Sequence, residues 1–253
     1  MTDKQEVQVW TPTPFVGTDL LPTSLGANAV DRTGREHVES GDLVLPSMSV
    51  LQGMSEAVTK GTVEGARPGK FFHSGCQEVL DGPIRVLLCA HTRSRALFVQ
   101  PDRAEHKGLE SCMSRDGIDG TVYGHCDSCP HKEWGKNNVP PPCSESHNFT
   151  ALTKFGPAVI RFARTSFKAA RNFLTTWTMS PRPLWAHPAI ITVNQQSRRL
   201  ATGKDATYYS MDIRWAQRED VPAPAQSAAR AIWLQVNDAH EAGKFSTDAP
   251  DGE

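Results

Sequence analysis

The feature that most constrains this chain is a cysteine-rich stretch from Cys112 to Cys143, which holds four of the six cysteine residues. Cys126 and Cys129 are separated by two residues, and this spacing lets two thiolates reach one tetrahedral metal ion from a single turn. The flanking segments are rich in Gly, Pro, Asn and Asp and poor in apolar residues, so burial alone could hardly stabilise them. We therefore predict a structural Zn²⁺ site with the ligands Cys112, Cys126, Cys129 and Cys143.

Other interpretations of this stretch stay open. The thiols could be unrelated, or a histidine could replace an outer cysteine as ligand, the candidates being His125, His131 and His147. His131 and Glu133 form an H-x-E pattern, but in zinc deaminases the cysteine pair follows that pattern, whereas here it precedes it. The two cysteines outside the stretch, Cys76 and Cys89, lie beside apolar residues and are predicted to be small buried side chains.

The net charge of −1 conceals a separation of charge along the chain. Residues 151–218 carry 11 basic and 2 acidic residues, whereas residues 219–253 carry 2 basic and 7 acidic residues. A basic block followed by an acidic tail favours a nucleic-acid partner. We find no run of eighteen apolar residues and no secretory signal, so we expect no membrane association and a cytoplasmic location, which is the host cell cytoplasm if the protein is viral.

Within the basic block, cationic and aromatic side chains alternate. Single-stranded nucleic acid requires both kinds of side chain, cations that follow the phosphates and flat rings on which bases stack. Tyr208 and Tyr209 are neighbours on a predicted strand, so only one of them can face the core. Trp185, Tyr208 and Tyr209 are the aromatic residues that we expect to be better exposed. The predicted nucleic-acid-binding residues are Lys154, Arg161, Arg164, Lys168, Arg171, Trp185, Arg198, Arg199, Lys204, Tyr208, Tyr209, Arg214 and Trp215.

The pattern of apolar residues predicts a mainly β (α+β) protein. Residues 84–91 and 96–100 are expected to form a hairpin around T-R-S-R; further strands are expected at 158–165, 190–196 and 207–217, and helices at 166–179 and 225–240. This order is compatible with an OB-like Greek-key β-barrel with flanking helices. The predicted divisions are an irregular arm (1–45), the OB-like nucleic-acid-binding domain (46–218) with a zinc-binding insertion at about 108–147, a C-terminal helix (219–245) and a disordered acidic tail (246–253).

In layout, the chain resembles bacteriophage single-stranded DNA-binding proteins. The resemblance rests on the Cys112–Cys143 stretch, the basic and aromatic block, and the acidic residues Asp248, Asp251 and Glu253. It implies an OB-fold core, a zinc subdomain of the kind found in T4-type members, and an acidic tail that recruits replication proteins. T4-type members mix His and Cys ligands, and many such tails end in an aromatic residue, which this chain lacks.

Three functions are compatible with these patterns. The first is a non-enzymatic protein that coats and protects single-stranded DNA, without sequence preference, during phage replication or recombination. The second is a zinc-containing nuclease, suggested by His147 and Asn148 close to the cysteines. The third is a zinc-ribbon adaptor in replication or transcription assembly. No paired nucleophile and base stands out, so we predict the first function and no enzymatic activity.

Overall fold

A computed structural model describes residues 44–99, 106–136, 139–199, 205–216 and 221–241. Almost all of the predicted N-terminal arm, Lys204 and the acidic tail lie outside these residues. The elements in chain order are β1 Ser47–Val50, α1 Glu56–Thr59, β2 Phe71–His73, β3 Glu78–Leu80, β4 Ile84–Leu97, β5 Cys112–Ser114, β6 Asp119–Gly120, β7 Gly124–His125, β8 Ser144–Thr153, β9 Gly156–Ala163, α2 Phe167–Thr178, β10 Ala189–Arg199, β11 Asp205–Trp215 and α3 Ala223–Glu241.

The described residues form a mainly β structure with three helices. Eight strands follow one path in the order β11-β10-β4-β8-β9-β1-β2-β3, and β5 pairs with the end of β4. The small β6–β7 hairpin is separate from this sheet. The sheet is strongly curled into a half-barrel. One large sheet with three helices confirms the prediction of a mainly β fold with flanking helices.

The first half of the long strand β4 lies between β10 and β8 and is buried on both faces. Val86 and Leu88 pack into the main core with Phe149 and Phe162, while Leu87 and Cys89 pack beneath α3. A strand covered on both faces is expected to be a nearly continuous apolar run, as the sequence I-R-V-L-L-C-A is. The β4 strand therefore connects the concave core to the helix that covers the convex side.

The predicted hairpin around T-R-S-R is wrong. Residues Thr92 to Arg95 continue β4 without a turn and pair with the polar start of β8, from Asn148 to Glu145. The Ser94 and Ser146 hydroxyl oxygens are 2.8 Å apart. Glu145 forms ion pairs with Arg93 and Arg95 of β4. A partner strand of matching polarity thus allows a polar segment to remain extended. Cys76 is also predicted to be buried, but it is exposed because it lies in the turn between β2 and β3.

The last two strands form a hairpin that extends past the rest of the sheet. β10 pairs with β4 only through Ala189–Ile191, whereas its pairing with β11 continues to Arg199 and Asp205. Residues 194–199 are all exposed. We call residues 194–199 and 205–210 the hairpin arm. The two predicted strands and the two predicted helices in this half of the chain are confirmed, with ends that differ by a few residues.

Side-chain hydrogen bonds bring the curled sheet towards closure. Gln52, which follows β1, hydrogen-bonds to both backbone groups of Tyr209 on β11. The Tyr209 ring lies against Gly69, where a Cβ would be 2.7 Å from the ring. Ser166, just before α2, accepts a hydrogen bond from the backbone N–H of Met211. None of the described helices is long and apolar enough to cross a membrane.

Candidate functional site

The four cysteines of the predicted metal site surround one small cavity. Cys112 lies on β5 opposite Leu97, and Cys143 immediately precedes Ser144, which lies opposite Ala96. The last residues of β4 therefore lie between the two outer cysteines. The main sheet thus fixes Cys112 and Cys143, although 31 positions separate them in sequence.

The inner pair reaches the same cavity from the β6–β7 hairpin. The Cys126 backbone N–H donates a hydrogen bond of 2.6 Å to the Ile118 carbonyl, and the Cys129 N–H donates one of 3.3 Å to the Cys126 carbonyl. Cys126 is 6 % exposed and Cys129 is 9 % exposed. The turn between them therefore holds both thiols inside a segment that has few apolar side chains.

Gly120 allows the thiols to approach one another. A Cβ at this position would lie 2.8 Å from Cys112 Sγ and 4.0 Å from Cys126 Sγ. The cavity has a volume of about 10 Å³, which is room for a single water-sized species. Any side chain at position 120 would push against the sulfur of Cys112.

The surroundings of Cys112 and Cys143 shift their pKa values in opposite directions. Burial raises the pKa of the Cys112 thiol, but hydrogen bonds from the backbone of Tyr123 and Val122 and from Thr121 outweigh burial and leave the pKa below its usual value. Burial and the other three cysteines raise the pKa of Cys143 and Arg95 lowers it, with a net rise to about 11. The effect of the other three thiols on the pKa of Cys143 shows that the four thiols lie close together.

Of the three histidines considered as alternative ligands, only His131 lines the cavity. Its carbonyl accepts a hydrogen bond from the Cys143 N–H, and its ring packs edge-on against Tyr123. His125 is exposed on β7. His147 lies on β8, where its Nδ1 is 3.0 Å from His91 Nε2 and its ring stacks on Phe167.

The donor set fits a zinc ion in residue type and number. All four cysteines are free thiols, and four thiolates are a common tetrahedral ligand set for structural zinc. Arg95 and Lys132 also line the cavity and would offset the negative charge of such a site. No group of three or more Cys, His, Asp or Glu side chains that could hold a metal ion is formed among the described residues. The structure therefore shows four converging thiols rather than a formed coordination sphere.

An ion-pair cluster lies beside the cysteine cavity. Glu145 accepts hydrogen bonds from Arg93, with 2.9 Å between Nε and Oε1, and from Arg95, with 2.7 Å to Oε2. Gly117 packs against Arg93, where a Cβ would lie 3.4 Å from the Arg93 Cβ. This end of β4 is thus cationic and in contact with the cysteine-rich segment, residues 106–136 and 139–143, which we call the cysteine module.

The predicted nucleic-acid-binding residues of β10 and β11 divide between two faces. Tyr208 pairs with Gln196, and Arg198 pairs with Ala206, so these residues share one face with Arg214. Tyr209 and Arg199 lie on the other face, which continues into the buried residues Met211 and Ile213. The expectation that the two tyrosines face opposite ways is confirmed, and Tyr208 is the one on the outward face; both residues are half-buried rather than exposed.

A second group of predicted cations lies around the end of β9 and on α2. Arg161 is half-buried and donates a hydrogen bond from Nε to Ser146 Oγ at 3.1 Å. Burial lowers its pKa, and the neighbouring Arg164 lowers it further. Arg164 has φ of 49°, in the left-handed region that non-glycine residues rarely adopt. Arg164, Lys168 and Arg171 are all exposed.

The remaining predicted residues lie apart from these two groups. Trp185 is half-buried rather than exposed, because its ring packs against Trp233 with a centroid distance of 5.8 Å. Trp215 packs against Phe173 at 4.5 Å. Lys154 is in the β8–β9 turn with Nζ above the Phe155 ring. Lys204 lies outside the described residues.

The sequence interpretation missed Trp134, which is 67 % exposed in the cysteine module. It also missed the pairing of His91 with His147. Trp134 stands alone in a polar segment, so no periodic pattern singles it out. The histidines lie 56 positions apart, and the register of β4 and β8 brings them together.

Comparison with known proteins identifies one family. A family model described as Pam3 phage gp34-like protein matches residues 16–239, which is most of the chain. No curated protein matches the chain, and no solved structure matches it. The family description specifies no activity, so the interpretation of function depends on the residues described above.

Proposed function

The chain belongs to the Pam3 phage gp34-like protein family, and we propose that it coats single-stranded DNA. In this proposal the protein binds without sequence preference during phage DNA replication or recombination and acts without catalysis. Its place of action is the host cell cytoplasm. Its acidic tail contacts replication proteins.

The observation that carries the proposal is the outward face of the hairpin arm and the strand below it. Arg198, Tyr208 and Arg214 share this face, together with the exposed Asp212. An aromatic ring between cations suits a strand whose bases are unpaired, because the ring stacks on a base and the cations attract the phosphates. Arg198 and Arg214 are exposed and Tyr208 is half-buried, so the outward face is accessible to a ligand.

The charge balance of this part of the chain supports the same function. Between residues 151 and 216, the described acidic residues are Asp205 and Asp212, and the described cations number nine. In the described part of the chain, no ion pair with a carboxylate is recorded for Arg164, Lys168 or Arg171. Cations without acidic partners are available to phosphate groups, whose binding releases counterions.

The curled sheet also supports an OB-like barrel as the binding scaffold. The β1–β9 pair is parallel, the other described pairs are antiparallel, and Gln52 links the β1 end to β11. OB folds are small, partly open barrels that bind oligonucleotides on the strand face and adjacent loops. We assign the hairpin arm the role of one wall of that binding surface.

Zn²⁺ is the cofactor in this proposal, held by Cys112, Cys126, Cys129 and Cys143. When bound, the ion would supply a structural crosslink rather than chemistry, because four protein ligands leave no open position. A Cys129→Ser variant should lose zinc and melt at a lower temperature than the wild type. The exposed Cys76 provides a matched control, since Cys76→Ser should retain zinc. Equal zinc content in both variants would remove Cys129 from the ligand set.

The arm itself provides the experiment that tests the DNA-binding function. An Arg198→Gln/Arg214→Gln variant should bind a labelled single strand more weakly, and the slope of log affinity against log salt should become shallower by about 0.7 for each lost phosphate contact. Arg182→Gln, which changes an exposed arginine away from the arm, is the control. Unchanged affinity and slope in the double variant would contradict this binding surface.

A further inference from the structure

Trp134 is the most exposed tryptophan among the described residues. Trp134 is 67 % exposed, whereas Trp233, the next most exposed tryptophan of the described residues, is 38 % exposed. No contact with another aromatic ring is recorded for Trp134 among the described residues, whereas Trp233 packs against Trp185. The indole ring of Trp134 therefore presents a large flat surface that the folded chain leaves open.

The backbone around Trp134 is held in place from both sides. The Glu133 N–H donates to the Pro130 carbonyl at 3.4 Å, and the Gly135 N–H donates to the Val139 carbonyl at 2.9 Å. A Cβ on Gly135 would lie 3.2 Å from the Val139 Cβ, so the turn is tight. The residues on either side of Trp134 are thus held by backbone hydrogen bonds, which lowers the entropy that a ligand must overcome on binding.

The loop also belongs to the wall of the cysteine cavity. The Lys132 N–H donates to the Cys129 carbonyl, and the Cys143 N–H donates to the His131 carbonyl. Lys132 and His131 line the cavity together with the four thiols. The position of Trp134 is therefore tied to the geometry of the cysteines.

The residues that flank Trp134 in sequence are polar, and one exposed apolar side chain lies close to them. Glu133, Gly135 and Lys136 are exposed beside Trp134, and Val139, against which Gly135 packs, is 50 % exposed. A protein-binding surface usually has a contiguous apolar centre. A base needs only one flat face, with a cation close enough to reach the adjoining phosphate. The charged residues Glu133 and Lys136 on either side of the ring thus favour a base over an apolar protein surface.

We propose that Trp134 is a stacking platform for an unpaired base of single-stranded DNA, presented by the cysteine module. This inference rests on the proposed function and extends it by adding a second contact region to the hairpin arm. In it, Lys136 contacts the phosphate next to the stacked base. Zinc binding then contributes to DNA affinity indirectly, by holding the loop that carries the ring.

Trp134→Ala and its control Trp233→Ala test the inference when each variant is titrated with a labelled oligothymidine. Loss of one stacked base should weaken binding by about 5- to 150-fold in Trp134→Ala, and Trp134→Phe should recover much of that loss. The salt slope should stay at the wild-type value, because the indole ring is neutral. Trp233→Ala should bind like the wild type. Glu133→Gln should bind more tightly at low salt, since it removes a charge that repels phosphate.

The outcomes separate this inference from the proposed function. If the wild type and Trp134→Ala bind oligothymidine equally well, the stacking role is wrong while single-stranded DNA binding stands. If the wild type itself does not bind, the proposed function is wrong and the stacking role is wrong with it. Tryptophan fluorescence gives an independent measurement: quenching by oligothymidine should persist in Trp233→Ala and be strongly reduced in Trp134→Ala. Equal quenching in the two variants would also overturn the inference.

Discussion

The side-chain amide of Gln52 hydrogen-bonds to both backbone groups of Tyr209. Gln52 Nε2 donates to the Tyr209 carbonyl at 2.8 Å, and Gln52 Oε1 accepts from the Tyr209 N–H at 2.9 Å. An amide side chain thus takes the place of a neighbouring strand at the edge of β11. Because four strands lie between β1 and β11 in the sheet, these two bonds link its distant parts and stabilise its curl.

We predict that Gln52→Ala will destabilise the protein by about 1–3 kcal/mol, because two partly buried backbone groups of Tyr209 lose their partner. Chemical denaturation measures this change. Gln196→Ala, on the exposed arm, is the control and should change stability little. Equal stability of Gln52→Ala and the wild type would mean that the contact does not help to hold the curl.

The two tyrosines of β11 should respond differently to replacement by alanine. Tyr208→Ala should weaken binding to single-stranded DNA by about 5- to 150-fold with little change in melting temperature, because its ring is on the outward face. Tyr209→Ala should lower the melting temperature, because its ring fills the space above Gly69. Melting curves and anisotropy titrations of both variants test this assignment. The reverse pattern would contradict the assignment of faces.

Gly120→Ala should lower both zinc content and melting temperature. The new methyl group would lie 2.8 Å from Cys112 Sγ, so the sulfur must move. Gly53→Ala is a suitable control, because a Cβ there meets no atom within 4 Å. Zinc analysis of the purified variants measures the effect. Full zinc content in Gly120→Ala would show that Cys112 is not a ligand in this arrangement.

The stability of the protein should fall in acid as His91 becomes protonated. Burial, together with the neighbouring His147 and Arg93, lowers the pKa of His91 to about 4. His91 also contacts the Phe149 ring and shares a groove with Asp116 and His240. Since the unfolded pKa is near 6.5, the unfolded chain binds the proton more readily between about pH 6.5 and 4. Stability is therefore full above this window and decreases as the pH falls through it.

The contribution of His91 to this loss should be at most about 3 kcal/mol, since one pKa unit corresponds to about 1.4 kcal/mol. Denaturation of the wild type and of His91→Gln across this pH range measures the contribution. The variant should show a shallower decrease in stability between pH 6.5 and 4. Identical profiles would mean that His91 is not held neutral by the fold.

The sequence predicted the elements whose patterns are local. The alternation of T-Y-Y-S-M-D-I-R-W indicated β11, and the two-residue spacing of Cys126 and Cys129 indicated a turn that directs two thiols to one place. The outer cysteines could be proposed from composition, but their positions beside Ala96 and Leu97 depend on the pairing of β4 with β5 and β8. Those pairings are long-range and leave no periodic signal.

Two predictions, the turn at T-R-S-R and the exposure of Trp185, were wrong because of contacts with residues that are distant in sequence. The segment T-R-S-R looks like a turn because its residues are polar, yet the matching polar residues of β8 keep it extended. Trp185 looked exposed because prolines precede it, but α3 supplies Trp233 against its ring. In both places a residue distant in sequence provides the partner that decides the local structure.

The measurement that tests the central proposal most directly is a titration of zinc-loaded protein with a labelled single strand of about 30 nucleotides and with the corresponding duplex, each at two salt concentrations. We predict tighter binding of the single strand, with an affinity that decreases as salt increases. Weak binding of both nucleic acids, or a preference for the duplex, would contradict the proposal.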